Sequence, residues 1–261
     1  MRINLITPRS GGPLTWGRDL ARFVNRQTEC SAKHIHDTAG LLASSFFRNC
    51  DLVHAAVPIT LRLWRKPLVL TIHGDYTRER NVWRRFYPLA VRLASVTTVP
   101  SRFLKNALGL EKAVVIPNAV DLEKFSQATL SAREEIQILT VTQFWFPDKA
   151  AGVIEIARAL DGLPEKIRKR LRYTVLGAGP YLEEVRQKTG SVTFRTELAG
   201  LQDPRPYLAE ADLFAYHSTF DNMPTSVLEA MASGLPVVTN GVGAISEMIT
   251  DGKDGFIRND T

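Results

Sequence analysis

Nine consecutive residues, Asp221-Asn-Met-Pro-Thr-Ser-Val-Leu-Glu229, set two carboxylates on either side of a helix start. Pro224 suits a first helical turn, and Thr225 and Ser226 add hydroxyls and amides that have no helical partner. Such a turn attracts anions through its dipole and its open N–H groups. A phosphate therefore fits on Thr225-Ser226. Glu229, about one turn further in, can accept from vicinal hydroxyls such as those of a ribose, and Asp221 can accept from another polyol. A ligand built as sugar, phosphate, ribose matches that array. The plainer alternative makes Asp221 a helix cap and leaves Glu229 in solvent.

Other residues offer less on spacing alone. Gly11-Gly12 lets a backbone approach a phosphate or a sugar, or forms an ordinary tight turn. His73 follows an apolar run, and a lone histidine at a strand end is more often structural. His34-Ile-His36 alternates like metal ligands on a strand but lacks further partners. Gly177-Ala-Gly179-Pro-Tyr-Leu182 fails the dinucleotide fingerprint, because leucine stands where a third glycine is needed. A nicotinamide-type oxidoreductase is thereby disfavoured. No Ser/His/Asp arrangement for covalent catalysis is evident. Cys30 and Cys50 are too few for a disulfide framework or a four-cysteine zinc site, and suit a reducing, cytoplasmic setting.

The elements that must position these residues alternate. Short apolar runs at Arg2–Thr7, Asp51–Val57, Pro67–Ile72, Val96–Val99 and Ala113–Ile116 predict buried strands. Helical spacing separates them at Trp16–Gln27, Arg84–Ala94 and Arg102–Leu108. The polar stretch Ser126–Glu135 is expected to be a linker. The alternation restarts with strands at Ile136–Val141, Tyr173–Leu176, Val192–Phe194, Leu213–Tyr216, Pro236–Thr239 and Phe256–Ile257. Helices are expected between them at Ala151–Leu160, Tyr181–Lys188, Pro204–Glu210, Ser226–Ser233 and Ile245–Thr250. Two consecutive doubly wound α/β domains follow, 1–125 and 126–261, each with a parallel sheet covered on both faces. Ligands of such sheets bind outside the carboxyl ends of the strands, so two facing units make a cleft.

Composition narrows the class. With 44% hydrophobic and 23% charged residues, the chain is an ordinary folded one. No run approaches the roughly 18 apolar residues of a membrane span. The net charge of +6 is uneven. Residues 1–125 hold 19 Lys+Arg against 9 Asp+Glu, and residues 126–261 hold 14 against 18. In the first half Arg62, Arg65 and Lys66 flank Trp64, and Arg78, Arg80, Arg84 and Arg85 accompany Tyr76, Trp83, Phe86 and Tyr87. Basic and aromatic residues together suit an anionic membrane surface, with nucleic acid the weaker reading. The alternative is a solvated basic face over core aromatics. Lys166–Arg172 reads as solvated surface.

The chain resembles the family 4 retaining glycosyltransferases. The residues that carry the resemblance begin with Asp221–Glu229 and continue through Ala-Met-Ala-Ser-Gly-Leu-Pro-Val-Val-Thr-Asn, Gly241-Val-Gly-Ala-Ile-Ser-Glu-Met-Ile and Asp251-Gly-Lys-Asp-Gly-Phe. Val175-Leu-Gly-Ala-Gly-Pro180, Ala211-Asp-Leu-Phe, Val115–Phe125, Thr71-Ile-His-Gly-Asp75 and Gly11-Gly12 match further family segments in order. The resemblance implies a GT-B fold of two Rossmann-like domains, with the acceptor on the first and a nucleotide-sugar donor on the second. It implies that Glu229 holds the donor ribose, that Asp221 contacts the transferred sugar, and that Pro224, Thr225 and Ser226 meet the diphosphate. Gly11, Gly12, Gly177 and Gly179 belong to the implied donor site. Lys149, in Phe146-Pro-Asp-Lys149, matches the family's phosphate-binding lysine, and His73 its strand-end histidine. A fixed ammonium and a helix terminus stabilise a departing diphosphate without a metal or cofactor.

One position departs from the pattern. Gln143 stands where the family has arginine, and a neutral amide does not replace a guanidinium fork. A catalytically silent nucleotide-sugar-binding relative is therefore the alternative to a UDP- or GDP-sugar-dependent hexosyltransferase. The acceptor is expected to be a glycan or a lipid-linked molecule, met in the cytoplasm at the inner membrane face. The family's usual C-terminal extension is expected to be absent.

Overall fold

The computed structural model describes residues 1–9, 11–27, 29–36, 49–59, 66–78, 82–125, 127 and 134–258. The chain divides into two compact units, Met1–Asn118 and Ala119–Thr261.

In the first unit, β1 (Arg2–Ile6), β2 (Ser31–Ile35), β3 (Leu52–Ala55), β4 (Leu68–Thr71), β5 (Val96–Val99) and β6 (Val114–Val115) form one sheet in the order β2-β1-β3-β4-β5-β6. Every pairing is parallel. Helices α1 (Gly12–Asn25), α2 (Tyr87–Leu93) and α3 (Arg102–Ala107) lie in the connections. The core holds Ile6, Val53, Leu70, Ile72, Val99 and Leu104. Apart from Leu104 of α3, these residues come from short apolar runs at the strands, as expected where a parallel sheet is covered on both faces.

The second unit repeats the plan. Its strands are β7 (Ile136–Val141), β8 (Leu171–Leu176), β9 (Arg195–Gly200), β10 (Leu213–Tyr216), β11 (Val237–Thr239) and β12 (Phe256–Ile257). Their order is β12-β11-β10-β7-β8-β9, again all parallel. The helices are α4 (Pro147–Asp161), α5 (Glu165–Arg168), α6 (Leu182–Thr189), α7 (Pro204–Glu210), α8 (Thr225–Ala232) and α9 (Ile245–Met248). Alternation along β7 and β8 sends side chains to two separate cores. Leu139 and Leu176 pack with Val227 and Ala230 of α8. Ile138, Tyr173 and Val175 pack with Val153 and Ala157 of α4.

Several expected boundaries move. β2 is a full strand, and β9 lies at Arg195–Gly200 rather than Val192–Phe194. Both are sheet-edge strands whose charged residues (Lys33, Arg195, Glu197) interrupt the apolar pattern. Helix α4 begins at Pro147, not Ala151, because proline at the first helical position fixes φ without losing a needed donor. The segment before α2 is a 3₁₀ turn, Val82–Arg85. The sequence division at 125/126 differs from the structural one, and Phe125 packs against the second unit's core. Most of the expected linker, Ser126 and residues 128–133, lies outside the described residues.

Candidate functional site

In the second sheet, β8 and β9 extend to one side of β7, and β10, β11 and β12 to the other. The chain therefore reverses its direction of winding between β7 and β10. The connections leaving adjacent strands at such a point diverge to opposite faces and leave a crevice at the strand ends. Residues 142–149 leave β7 and residues 217–224 leave β10.

Lys149 and Asp221 meet there. The Lys149 ammonium donates to Asp221 Oδ2 and to the Tyr216 hydroxyl, and that hydroxyl donates to the same carboxylate oxygen. The ammonium also lies 5.0 Å from the centre of the Tyr216 ring. Both charged side chains are largely buried. Burial, and then the charge of Asp221, push the Tyr216 hydroxyl well above the ordinary tyrosine range, so it stays a donor at any working pH. Lys149 occupies the first turn of α4, where its charge adds to the positive end of the helix dipole. A compact cation held by a neutral phenol and a carboxylate has the chemistry to exchange its partner for an incoming phosphate.

Asp221 does not cap α8, which starts after Pro224 with no side-chain cap. Its Oδ1 accepts from the Asn222 amide at 2.7 Å. The carboxylate is committed to the loop and to Lys149, which removes the plainer sequence reading of a cap. Glu229 is half-buried one turn into α8, and Thr225 and Ser226 form the half-buried first turn of that helix. Asn240 braces the loop, its side chain accepting from Ser218 N at 3.2 Å and donating to Ser218 O at 2.7 Å.

Gly177 and Gly179 serve the packing of this end of the sheet. A Cβ on Gly177 would sit 1.8 Å from Thr142 O, and one on Gly179 would sit 2.5 Å from the Phe144 carbonyl. The loop they pack against is tied down by Thr142 N to Leu176 O and Phe144 N to Ala178 O, both 2.9 Å. Gln143 lies on this loop and is exposed.

The first unit carries a different cluster at its own reversal point, between β1 and β3. Gly11 precedes α1 with φ +85°, and both Gly11 and Gly12 are exposed. Trp16 of α1 meets His54 edge-on at 5.2 Å and His73 at 4.6 Å between ring centres. His54 Nε2 bonds Thr71 Oγ1, which bonds Thr98 Oγ1, both at 2.7 Å. Burial drives both imidazoles down to about 4, the neighbouring His54 assisting at His73, so they are neutral near pH 7.

The remaining candidates separate. Tyr76 and Tyr87 stack on each other 4.5 Å apart in the core, whereas Trp83 (50%) and Phe86 (39%) are exposed beside exposed Arg84 and Arg85. Arg78 and Lys66 are exposed too; Arg62, Trp64, Arg65 and Arg80 lie outside the described residues. His34 bonds Thr7 Oγ1 at 2.8 Å. Cys50 is buried in the first core and Cys30 is half-buried. Among the described residues, no group of three or more His, Cys, Asp and Glu is placed to hold a metal ion. No described helix is long and apolar enough to cross a membrane.

A family model described as Glycosyl transferases group 1 matches residues 135–261, and one described as Glycosyltransferase Family 4 matches residues 3–124. The chain belongs to the family 4, group 1 glycosyltransferases. Among relatives of this family, the putative teichuronic acid biosynthesis glycosyltransferase TuaC of Bacillus subtilis is 28% identical over 88% of the chain. A phosphatidyl-myo-inositol mannosyltransferase of Mycolicibacterium smegmatis is 25% identical over 78% of it. The chain spans 64% and 57% of the lengths of these two glycosyltransferases. Anabaena HepE, solved in complex with UDP, superposes with a TM-score of 0.76 at 19% identity, covering 99% of this chain and 85% of HepE. That likeness establishes a glycosyltransferase fold of the GT-B type, two parallel α/β units. Tyr216 and Trp16 escaped the sequence reading of this family member. Tyr216 ends β10, the strand beside β7, and its hydroxyl meets Lys149 and Asp221 at the reversal point.

Proposed function

We propose that this chain transfers a hexose-type sugar, with retention of configuration, from a UDP- or GDP-sugar to a glycan or lipid-linked acceptor. The observation that carries the proposal is the convergence of Lys149, Tyr216 and Asp221 at the reversal point of the second sheet, with the first turn of α8 on the same loop. Lys149 and the amides of Thr225 and Ser226 would take the diphosphate, with Pro224 leading the backbone in; Glu229 would take the ribose and Asp221 the sugar hydroxyls. The glycosidic C1–O bond to phosphate breaks and a C1–O bond to the acceptor forms on the same face. The acceptor proton passes to the departing diphosphate. Negative charge grows on that leaving group, where a preorganised ammonium and helix terminus act most strongly. No metal or cofactor takes part in this scheme. His73 is assigned to the same reaction from the first unit, with Gly11 just before α1 and Gly12 at its first position.

The relatives support the acceptor class. One is named for teichuronic acid biosynthesis and another for mannosyl transfer to a phosphatidyl-inositol. HepE is described with UDP-glucose. The exposed Trp83, Phe86, Arg84 and Arg85 support peripheral contact with an anionic membrane, in the cytoplasm, by inserting aromatic rings under paired charges. Nucleic acid does not enter the proposal.

The test is release of nucleoside diphosphate from UDP-glucose, UDP-N-acetylglucosamine and GDP-mannose. Turnover with one of them, lost by about 100-fold or more in Glu229→Ala, supports an enzyme. Gln143 in place of a guanidinium favours a second reading, a silent binding relative, which predicts nucleotide-sugar binding without turnover.

A further inference from the structure

Lys149, Asp221 and Tyr216 differ in how firmly the fold holds them. Tyr216 closes β10, a strand paired with β7 on one side and β11 on the other. Its side chain is buried in the core that also holds Leu139 and Val227. Lys149 arrives on a flexible four-carbon stem from α4, and Asp221 from the loop after β10. The phenol touches both. Its oxygen accepts from the ammonium, its proton goes to Asp221 Oδ2, and the ammonium lies 5.0 Å from the ring centre. Burial and the charge of Asp221 keep that proton on the phenol. The two charged side chains are only 14% and 21% exposed.

A phosphate that takes Lys149 must take it from Asp221. Withdrawing a cation from a largely buried carboxylate leaves a charge uncompensated, and that cost opposes binding. Asp221 Oδ1 keeps the Asn222 amide, whereas Oδ2 is met by Lys149 and Tyr216. We propose that Tyr216 is a positioning residue that lets Lys149 change partners: its hydroxyl stays on Asp221 Oδ2 while the ammonium turns to the diphosphate. This rests on the transfer reading above, in which Lys149 is the cation of the diphosphate. The last donor on a buried charged oxygen counts for more than a second one, so the hydroxyl matters more after the exchange than before it. The ring face also remains available to the ammonium as it turns. The two loops need not part, because Asp148 with Thr219 and Phe146 with Phe220 bridge them independently of the Lys149–Asp221 pair. Only hydrogen bonds are exchanged, and no proton or covalent bond changes hands.

Calorimetric titration of UDP, GDP and their monophosphates into the full chain tests this in the wild type, Tyr216→Phe, Asp221→Asn and the double variant. Phenylalanine keeps the ring and removes only the hydroxyl. Diphosphate affinity should fall about tenfold or more in Tyr216→Phe while monophosphate affinity holds. Adding Asp221→Asn should bring diphosphate affinity back to within about threefold of Asp221→Asn alone, because a neutral amide left without the phenol costs far less than a carboxylate. A hydroxyl needed only for packing would instead lower mono- and diphosphate affinity together. That result, or unchanged diphosphate affinity in Tyr216→Phe, overturns the proposal and leaves the transfer reading standing. A loss that Asp221→Asn does not recover places the hydroxyl on the diphosphate itself and overturns the exchange. Should Tyr216→Phe fail to fold, Asp221→Asn alone carries the test. It should bind the diphosphate at least as tightly as the wild type, since no charge then competes for Lys149, and looser binding overturns the exchange. A wild-type chain that binds neither UDP nor GDP sinks the transfer reading and the proposal together.

Discussion

The two units share an architecture and differ in what they place at the same topological position. In the second, the reversal point between β7 and β10 holds a lysine, a carboxylate and a phenol in direct contact. In the first, the reversal point between β1 and β3 adjoins an indole and two neutral imidazoles. Overall charge runs the other way. Residues 1–125 carry 19 basic and 9 acidic side chains, and residues 126–261 carry 14 and 18. The half with the Lys149–Tyr216–Asp221 centre is the acidic one. The basic half displays its charge on exposed positions such as Arg78, Arg84 and Arg85. Net charge therefore reports the kind of surface a domain offers, whereas strand order decides where Lys149 meets Asp221.

The sharpest way to break this contrast is to neutralise the charged centre. Lys149→Met should cut transfer by about 100- to 1,000-fold in kcat, since it removes a donor aimed at the leaving group. It also leaves Asp221 largely buried without its cation and should cost about 2–3 kcal/mol in chemical denaturation. Adding Asp221→Asn should recover most of that stability and none of the activity. Recovery of both would make the pair a structural device and erase the difference between the units.

The neutral cluster makes a prediction of opposite character. His54 and His73 are held near 4, below the free value of 6.5. Above pH 6.5 folded and unfolded chains are equally unprotonated at these positions, and the stability they allow is fully present. Between pH 6.5 and about 4 the unfolded chain takes up protons that the folded one refuses, so stability falls as pH falls. With both groups moved from 6.5 to about 4, linkage allows a loss of up to about 6 kcal/mol across that window. A double His54→Gln, His73→Gln variant should flatten it. A wild-type profile already flat there would contradict the neutral assignment.

The smallest expected effect concerns the surface. Reversing Arg84 and Arg85 to glutamate should weaken binding to vesicles rich in phosphatidylglycerol by about tenfold or more, at about 1 kcal/mol per charge near the membrane. Cosedimentation measures it, and unchanged binding would leave the basic half without a membrane role.

What the sequence disclosed follows from burial. Central strands such as β4 and β10 are covered on both faces and so read as nearly unbroken apolar runs. Edge strands β2 and β9 carry Lys33, Arg195 and Glu197 and lose that signal. The loop from Asp221 to Glu229 was legible because proline, hydroxyl residues and paired carboxylates have few other reasons to be neighbours. The pairing of Lys149 with Asp221 was not, because 72 residues separate them and only strand order brings β7 beside β10. Tyr216 was hidden for a related reason. An aromatic at the end of a buried strand looks like core until the neighbouring strand is known. Tyr76 and Tyr87 mislead in the opposite sense, reading as part of a basic aromatic surface although they stack on each other against the core.

The most direct test of the central claim is calorimetric titration of UDP, GDP and their monophosphates into the wild-type chain and Lys149→Met. A Lys149-centred diphosphate site predicts that one diphosphate binds, that its monophosphate binds about tenfold more weakly or worse, and that Lys149→Met erases most of that preference. Equal affinity for mono- and diphosphate, or a preference that survives in Lys149→Met, would contradict it.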